Sequence, residues 1–161
     1  MSQPLLLIYG QGGHCREMSL LLDYLSVEPF EVVTIGPQSL IFPDAVVHLA
    51  HYRGDDVRDK HSRLMTLLLL VPTNLRLLFN TWRVFRRFNL AGVVSTGPGL
   101  AILPMLLLRL LGVKTVFIET NCRFTSRSMT GRVMSKIAHR FLVQNKQLLA
   151  LYPDAQYCGR L

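Results

Sequence analysis

The residues best suited to chemistry follow the first apolar run of the chain, in the sequence Gly-Gln-Gly-Gly-His at 10–14. Glycines let the backbone turn sharply, and the N-terminus of a following helix offers free N–H groups to an anion. His14 adds an imidazole that can exchange a proton near neutral pH. Glu17 is expected in the first helical turn. The pattern predicts an anion-binding turn with an acid–base group, and a tight turn with a helix-capping histidine is the alternative.

Two common glycine-rich loops are excluded by residue type. A Walker A loop ends in Gly-Lys-Ser/Thr, which is absent here. The dinucleotide fingerprint places its third glycine where Cys15 stands, and it needs an acid after the second strand, which instead ends at Ile35 and Gly36. Neither ATP nor NAD is therefore expected, and no cofactor is predicted. His48 and His51 have no third ligand nearby in sequence, so no metal site is predicted either.

Further polar and glycine residues follow two later apolar runs. Thr-Gly-Pro-Gly at 96–99 follows the predicted strand 91–95, and Glu119 and Asn121 follow the predicted strand 113–118. In a doubly wound parallel sheet, the first and fourth strands flank the point where strand order reverses, and ligands bind there. We therefore expect Gly97 and Gly99 to face the 10–14 loop across one crevice.

The elements that must position these residues alternate between strand and helix patterns. A helix follows the 10–14 loop, with apolar residues at i, i+3, i+4 and i+7 from Met18. Strands are predicted at 31–36, 43–50 and 141–143, with a loop from 52 to 61. Helices are predicted at 100–111 and from Met129, and Pro72 is expected to break or kink a helix spanning 63–88. At 161 residues, this predicts one α/β domain, 1–161, with a single Rossmann-like doubly wound parallel sheet.

Charge is distributed unevenly along the chain. Residues 1–61 carry eight acids and four Lys or Arg, whereas residues 62–161 carry two acids and fourteen Lys or Arg. The helix 63–88 contains no acid; apolar residues are expected on one face and arginines on the opposite face. The apolar face comprises Leu75, Leu78, Phe79, Trp82 and Phe85, and the basic residues are Arg76, Arg83, Arg86 and Arg87. Such a helix suits an anionic membrane surface. A helix packed on the sheet with a solvated basic back is the alternative.

Other features narrow the class of protein. No apolar run reaches the roughly 18 residues that span a bilayer, and no basic region precedes the first apolar run as in a signal peptide. Three cysteines without metal-type spacing indicate reduced thiols in the cytosol. A nucleic-acid-binding module would suit the basic half, but no recognised motif is present. We expect a cytosolic chain that contacts the membrane through Arg76, Trp82, Arg83, Arg86 and Arg87.

Several motifs together resemble one known family. They are Gly-Gln-Gly-Gly-His-Cys-Arg-Glu-Met, Thr-Gly-Pro-Gly, Ile-Glu-x-x-x-Arg at 118–123, Ser-x-Thr-Gly-Arg at 128–132, Phe-Leu-Val-Gln at 141–144 and Tyr-Pro-x-Ala-x-Tyr-x-Gly at 152–159. In this order they resemble the non-catalytic, membrane-recruiting subunit of the split N-acetylglucosaminyltransferase of dolichol-linked oligosaccharide synthesis. Bacterial relatives of that family are the PssD- or CpsF-type subunits of exopolysaccharide and capsule synthesis.

The resemblance implies the N-terminal, acceptor-side half of a GT-B glycosyltransferase. A separate catalytic subunit would bind the UDP-sugar, and this chain would bind a polyprenyl-diphosphate-linked sugar as a peripheral protein on the cytoplasmic face of the inner (plasma) membrane. Without that partner the chain is expected to be inactive. A stand-alone, small Rossmann-type nucleotide- or phosphate-binding enzyme is the alternative, and it predicts activity in the isolated chain.

The resemblance also implies roles for individual residues. His14 could orient or deprotonate the acceptor hydroxyl, with Glu119 as the rival base. The segment 152–161 is expected to dock on the catalytic partner. Acceptor or phosphate contacts are expected from Gly10, Gly12, Gly13, Glu17, Gly97, Gly99, Asn121, Arg123 and Arg127. Partner contacts are expected from Tyr152, Tyr157, Gly159 and Leu161.

Overall fold

The described part of the chain folds around one parallel sheet of seven strands. In the computed structural model, residues 3–54 and 63–161 are described, and the side chains of the long second helix are described from residue 72 onward. The strands are β1 (Leu5–Ile8), β2 (Phe30–Gly36), β3 (Val46–Arg53), β4 (Gly92–Ser95), β5 (Thr115–Ile118), β6 (Arg140–Val143) and β7 (Gln156–Tyr157). Their spatial order is β3-β2-β1-β4-β5-β6-β7, and all neighbours are parallel. The predicted α/β class and doubly wound parallel sheet are confirmed.

In the described residues, four α-helices connect the strands. They are α1 (Gly13–Leu25), α2 (Arg63–Arg87), α3 (Ile102–Leu110) and α4 (Met129–Ile137), with 3₁₀ turns at Gly99–Ala101 and Lys146–Ala150. The strand order reverses between β1 and β4, as predicted. The carboxyl ends of these two neighbouring strands lead into the 10–14 loop and the 96–99 loop respectively.

Strand β1 is buried on both faces, as expected of a central strand in a parallel sheet. On one face Leu7 and Tyr9 pack with Met18 and Leu22 of α1. On the other face Leu6 and Ile8 belong to a larger core with buried residues of α2, α3 and α4, among them Leu77, Met105 and Met134. Packing in these two cores fixes the position of the carboxyl edge of the sheet, and therefore of the glycine loops that begin there.

Several predicted boundaries differ from the structure. Strand β3 begins later than predicted, because Pro43 instead closes a turn by accepting the N–H of Val46. It also ends later, so Tyr52 and Arg53 of the predicted 52–61 loop belong to the strand, and residues 55–61 of that loop lie outside the described residues. Pro72 does not break α2, which is a single helix from Arg63 to Arg87. Pro104 is accommodated in the first turn of α3, where backbone N–H groups have no intrahelical partner. The short strand β7 was not predicted.

Candidate functional site

His14 is fixed by reciprocal hydrogen bonds with Thr96. The ring Nδ1 of His14 lies 2.7 Å from the carbonyl oxygen of Thr96, and the hydroxyl of Thr96 donates to the backbone carbonyl of His14 at 2.8 Å. Because a carbonyl only accepts, Nδ1 carries the proton and Nε2 keeps a free lone pair. The half-exposed imidazole therefore has the tautomer and orientation that a general base needs.

The two glycine loops, which were predicted to face each other across a crevice, are in direct contact. A Cβ on Gly10 would lie 2.8 Å from the Cβ of Pro98, and a Cβ on Gly97 would lie 3.0 Å from Cε1 of His14. Gly97 also has a φ of +103°, a conformation that side chains with a Cβ rarely adopt. Glycine at 97 therefore lets the second loop close against the histidine ring.

The N-terminus of α1 lies beside this histidine. Gly12 is the N-cap residue of α1, with a φ of 62°, and as a glycine it has no side chain to cap the helix. The first-turn N–H groups are therefore available to a ligand, and the helix dipole favours an anion there. Gly12 and Gly13 are exposed, and Gly99 is exposed at the start of the 3₁₀ turn that precedes α3.

Glu119 is buried within a closed set of hydrogen bonds. Its Oε2 accepts from the hydroxyls of Ser128 at 2.9 Å and Tyr152 at 3.0 Å, and its Oε1 accepts from the N–H of Thr120 at 3.2 Å. A Cβ on Gly131 would lie 1.8 Å from Oε2, so only glycine fits there. The side chain of Glu119 is 0 % exposed. The expectation that Glu119 acts as a base is corrected, because a fully enclosed carboxylate does not reach an acceptor hydroxyl.

Glu17 is also turned inward. It is the fifth residue of α1, past the first turn where it was expected, and its side chain is 3 % exposed. Its Oε1 accepts from the hydroxyl of Thr120 at 2.8 Å and from the N–H of Asn121 at 3.0 Å, and its buried Oε2 has no hydrogen-bond partner among the described residues. Burial raises the pKa of this carboxyl. The predicted phosphate contact by Glu17 is corrected: it ties α1 to the turn after β5.

Two buried residues after β6, which the sequence analysis did not assign, support the same turn. The side-chain amide of Gln144 donates to the carbonyl of Glu119 at 3.0 Å. The Nδ2 of Asn145 donates to the carbonyls of Asn121 at 2.9 Å and Arg123 at 2.6 Å. Their position could have indicated this role, since both residues directly follow a strand and so lie at the carboxyl edge of the sheet.

The remaining predicted acceptor residues surround this turn. Asn121 is half-buried, and its side-chain oxygen accepts from Sγ of Cys122 at 3.3 Å. Arg123 is exposed and donates to the hydroxyl of Ser126 at 3.3 Å, whereas the exposed Arg127 lies over the ring of Tyr152. Both guanidinium groups thus have exposed surface from which to contact a phosphate.

The segment 152–161 has a buried start, and its remainder is exposed except for the half-buried Ala155, Gly159 and Leu161. Tyr152 is 3 % exposed and part of the main core, so the predicted partner contact by its side chain is corrected. Tyr157 is exposed on the edge strand β7, and Nζ of Lys146 lies 5.3 Å from the centre of its ring. Gly159 has a φ of +87°, and the N–H of Leu161 donates to Oε1 of Gln144 at 3.0 Å.

The outer surface of α2 combines aromatic and basic side chains. Leu77, Thr81 and Val84 are buried, whereas the predicted apolar face of α2 is largely exposed: Trp82 is 42 % exposed. The predicted opposition of aromatic and basic faces is therefore wrong. Arginines lie over aromatic rings in the pairs Arg83–Phe79, Arg86–Trp82 and Arg87–Phe88. Within residues 3–54 and 63–161, no helix has the length and apolarity needed to cross a bilayer.

The potential metal ligands are dispersed over the fold. In the part of the chain that the structure describes, no three His, Cys, Asp or Glu side chains converge on a metal-sized site. His48 and His51 instead lie 3.1 and 2.9 Å from the hydroxyl of Thr34.

The fold resembles the N-terminal half of GT-B glycosyltransferases. The chain aligns over its whole length with MurG from Acinetobacter baumannii, at a TM-score of 0.61 and 12% identity, and covers 44% of that structure. It aligns over 94% of its length with a UDP-N-acetylglucosamine 2-epimerase from Listeria monocytogenes described as putative, at a TM-score of 0.64 and 14% identity, and covers 43% of it. The chain thus spans less than half the length of both structures.

Sequence comparisons identify the family. The model for "Oligosaccharide biosynthesis protein Alg14 like" matches residues 60–161. The chain is 30% identical to the human UDP-N-acetylglucosamine transferase subunit ALG14 and 28% identical to that of Rattus norvegicus, covering in both cases 83% of the relative with 99% of this chain. The subunit from Kluyveromyces lactis is 26% identical. The chain belongs to the Alg14-like family of oligosaccharide biosynthesis proteins. The relationship to PssD- or CpsF-type subunits stays a prediction.

Proposed function

We propose that this chain is the acceptor-side accessory subunit of a two-component UDP-sugar-dependent glycosyltransferase, in which another subunit binds the UDP-sugar. The relatives named above are subunits of a UDP-N-acetylglucosamine transferase, and the chain has the fold of one half of a GT-B enzyme. N-acetylglucosamine is therefore the proposed sugar, transferred to a polyprenyl-diphosphate-linked acceptor. The contact between the 10–14 and 96–99 loops is the observation that supports an acceptor site at this edge of the sheet.

The acceptor diphosphate is proposed to lie at the N-terminus of α1. Uncapped N–H groups after Gly12 and Gly13 would donate to its oxygens, as helix N-termini do in other phosphate sites. The backbone of the second loop, at Gly97 and Gly99, would form the opposite wall. Arg123 and Arg127 supply positive charge from the exposed loop before α4, and Asn121 would contact the acceptor sugar.

His14 is proposed as the general base. Thr96 holds its Nδ1–H, so Nε2 is free to take the proton from the acceptor hydroxyl. That oxygen then attacks the anomeric carbon of the donor sugar, the bond to UDP breaks, and the configuration inverts. Glu119 does not share this step, because it is enclosed beneath α4.

Membrane recruitment is proposed to use α2. Trp82 and Phe79 are exposed beside Arg83, Arg86 and Arg87, and these residues line a cavity of about 370 Å³ with Tyr52, in which the described part of the chain places no Asp or Glu. Aromatic rings favour the membrane–water interface, while arginines are attracted to anionic lipids. The chain would then lie peripherally, on the cytoplasmic face of the inner (plasma) membrane, and bring its partner there.

Partner docking is proposed for the exposed end of the segment 152–161. Strand β7 leaves a sheet edge beside Tyr157, and unpaired backbone groups at such an edge can bind another chain. Gly159 and Leu161 continue this surface. Docking here would place the UDP-sugar-binding half next to the carboxyl edge of the sheet.

The proposal is tested by sugar transfer from UDP-N-acetylglucosamine to a polyprenyl-diphosphate-linked sugar, with the chain alone and with the UDP-sugar-binding subunit. We expect transfer only by the pair, and a His14→Ala loss of about 100-fold with the complex still assembled. His139→Ala, a histidine outside the site, is the control and should retain transfer. Transfer by the chain alone would favour the stand-alone enzyme, and full activity of His14→Ala would remove His14 from the mechanism.

A further inference from the structure

A buried glutamine joins the end of the segment 152–161 to the turn beside the proposed acceptor site. Gln144 is 1 % exposed and uses both ends of its amide. Its Oε1 accepts from the N–H of Leu161 at 3.0 Å, and its Nε2 donates to the carbonyl of Glu119 at 3.0 Å. The two contacts require the same orientation of the amide, since oxygen accepts and nitrogen donates.

The second of these contacts holds one particular peptide unit. The carbonyl of Glu119 and the N–H of Thr120 belong to the same planar group. Gln144 binds its carbonyl, and the carboxylate of Glu119 binds its N–H. That carboxylate is in turn held by Ser128 and Tyr152. A rotation of this peptide plane would break hydrogen bonds on both of its edges, so its orientation follows the position of Gln144.

The chain of contacts continues from this peptide to the helix that carries His14. The hydroxyl of Thr120 and the N–H of Asn121 both bind Oε1 of Glu17 in α1. His14 lies in the first turn of the same helix. Hydrogen bonds therefore run without interruption from Leu161 through Gln144 and the Glu119–Thr120 peptide to Glu17.

We infer that Gln144 is a positioning residue through which the segment 156–161 sets the geometry of the Thr120–Asn121 turn beside His14. The inference rests on the proposed docking of the catalytic partner on this segment. A partner that immobilises Leu161 would immobilise Gln144, and with it the turn that contacts the acceptor sugar. Partner binding and acceptor positioning are then consequences of one contact.

The first test uses the full chain alone and isolates one N–H group. Leu161→Pro removes the donor to Gln144, because proline has no N–H, whereas Leu161→Ala retains it. Amide hydrogen exchange of Asn121, followed by NMR, should be about 10-fold faster in Leu161→Pro than in Leu161→Ala, as expected for loss of one hydrogen bond. Equal exchange rates in the two variants would overturn the inference.

The second test measures turnover in the complex. Gln144→Met keeps the length of the side chain but removes both hydrogen bonds, and Gln147→Met is the matched control on the exposed 3₁₀ turn. At saturating UDP-sugar-binding subunit, we expect Gln144→Met to lower kcat and raise KM for the lipid-linked acceptor, with about a 10-fold loss of kcat/KM. If Gln144 served only to dock the partner, Gln144→Met would weaken the complex but leave kcat and KM unchanged at saturating partner. That result would overturn the inference.

The two tests separate this inference from the proposed function. If the wild-type pair transfers no sugar, the proposed function fails, and the exchange experiment still decides whether the contacts are coupled. If the wild-type pair is active and Gln144→Met is equally active, only the positioning role fails. Leu161→Pro leaves the core intact, so the test stands if Gln144→Met does not fold.

Discussion

Replacing Gly131 by alanine is expected to destabilise the protein, although alanine usually favours a helix. The new Cβ would lie 1.8 Å from Oε2 of Glu119 and 2.4 Å from Oη of Tyr152. The carboxylate must move by about 1 Å or more to reach an ordinary contact distance. That movement strains the buried hydrogen bonds from Ser128 and Tyr152, so a helix-stabilising substitution becomes unfavourable.

The expected magnitude combines three contributions. Overpacking in a core costs about 1–3 kcal/mol, and weakening a hydrogen bond to a charged group costs about 1.5–3 kcal/mol. The gain from replacing glycine with alanine in a helix is at most about 1 kcal/mol. We therefore expect Gly131→Ala to lower the free energy of unfolding by about 3 kcal/mol, a fall in Tm of roughly 6–12 °C for a chain of this size.

The measurement is urea denaturation at pH 7, followed by circular dichroism. Gly13→Ala is the control, because a Cβ at that position would have no other atom within 4 Å, and it should change stability by less than about 1 kcal/mol. In a Glu119→Ala background the cost of Gly131→Ala should fall by at least half, since the main clash is gone. A Gly131→Ala protein as stable as wild type would refute the account of the Glu119 site.

Three further results are expected. Gly97→Ala should lose about 1–3 kcal/mol of stability and reduce transfer, because of its positive φ and its contact with His14. Gly99→Ala, whose Cβ meets nothing closer than 3.7 Å, should keep the stability of the wild type, and urea midpoints compare the two variants. Burial raises the pKa of Glu17 above 4.5 in the folded protein. The stabilising contribution of the protonated carboxyl is therefore present at low pH and is lost as the pH rises through the folded-state pKa. The urea midpoint of Glu17→Gln relative to wild type should increase from pH 4 to pH 7, and a constant difference would contradict this. The fluorescence of Trp82, the single tryptophan, should shift to the blue with anionic vesicles and not with zwitterionic ones, and salt should reverse the shift. An equal shift with the two kinds of vesicle would argue against an electrostatic contribution to membrane binding.

The sheet and the meeting of the two glycine loops could be predicted from the sequence. The 10–14 and 96–99 loops each follow a predicted strand and so lie at the carboxyl edge of the parallel sheet, which brings them together because β1 and β4 are neighbours where the strand order reverses. Local patterns carry this information because strand, turn and helix signals follow one another directly along the chain.

The burial of the acidic side chains could not be predicted from the sequence. Glu17 and Glu119 are carboxylates at the right edge of the sheet, but their partners lie far away in sequence: Asn121 is 104 residues from Glu17, and Tyr152 is 33 residues from Glu119. Residue type gives no sign that a carboxylate is turned inward. The outward face of α2 was missed for a related reason, since helical periodicity shows which residues share a face and not which face meets the sheet.

The burial of Tyr152 determines where the chain can be shortened without harm. A protein ending before residue 152 would lose the hydroxyl that binds Oε2 of Glu119 and would expose part of the main core. Failure of such a shortened protein to bind a partner would report damage to the folded domain as much as loss of a docking surface. A protein ending at Ala155 keeps Tyr152 and removes β7 with everything after it, so truncation at that residue separates the two effects.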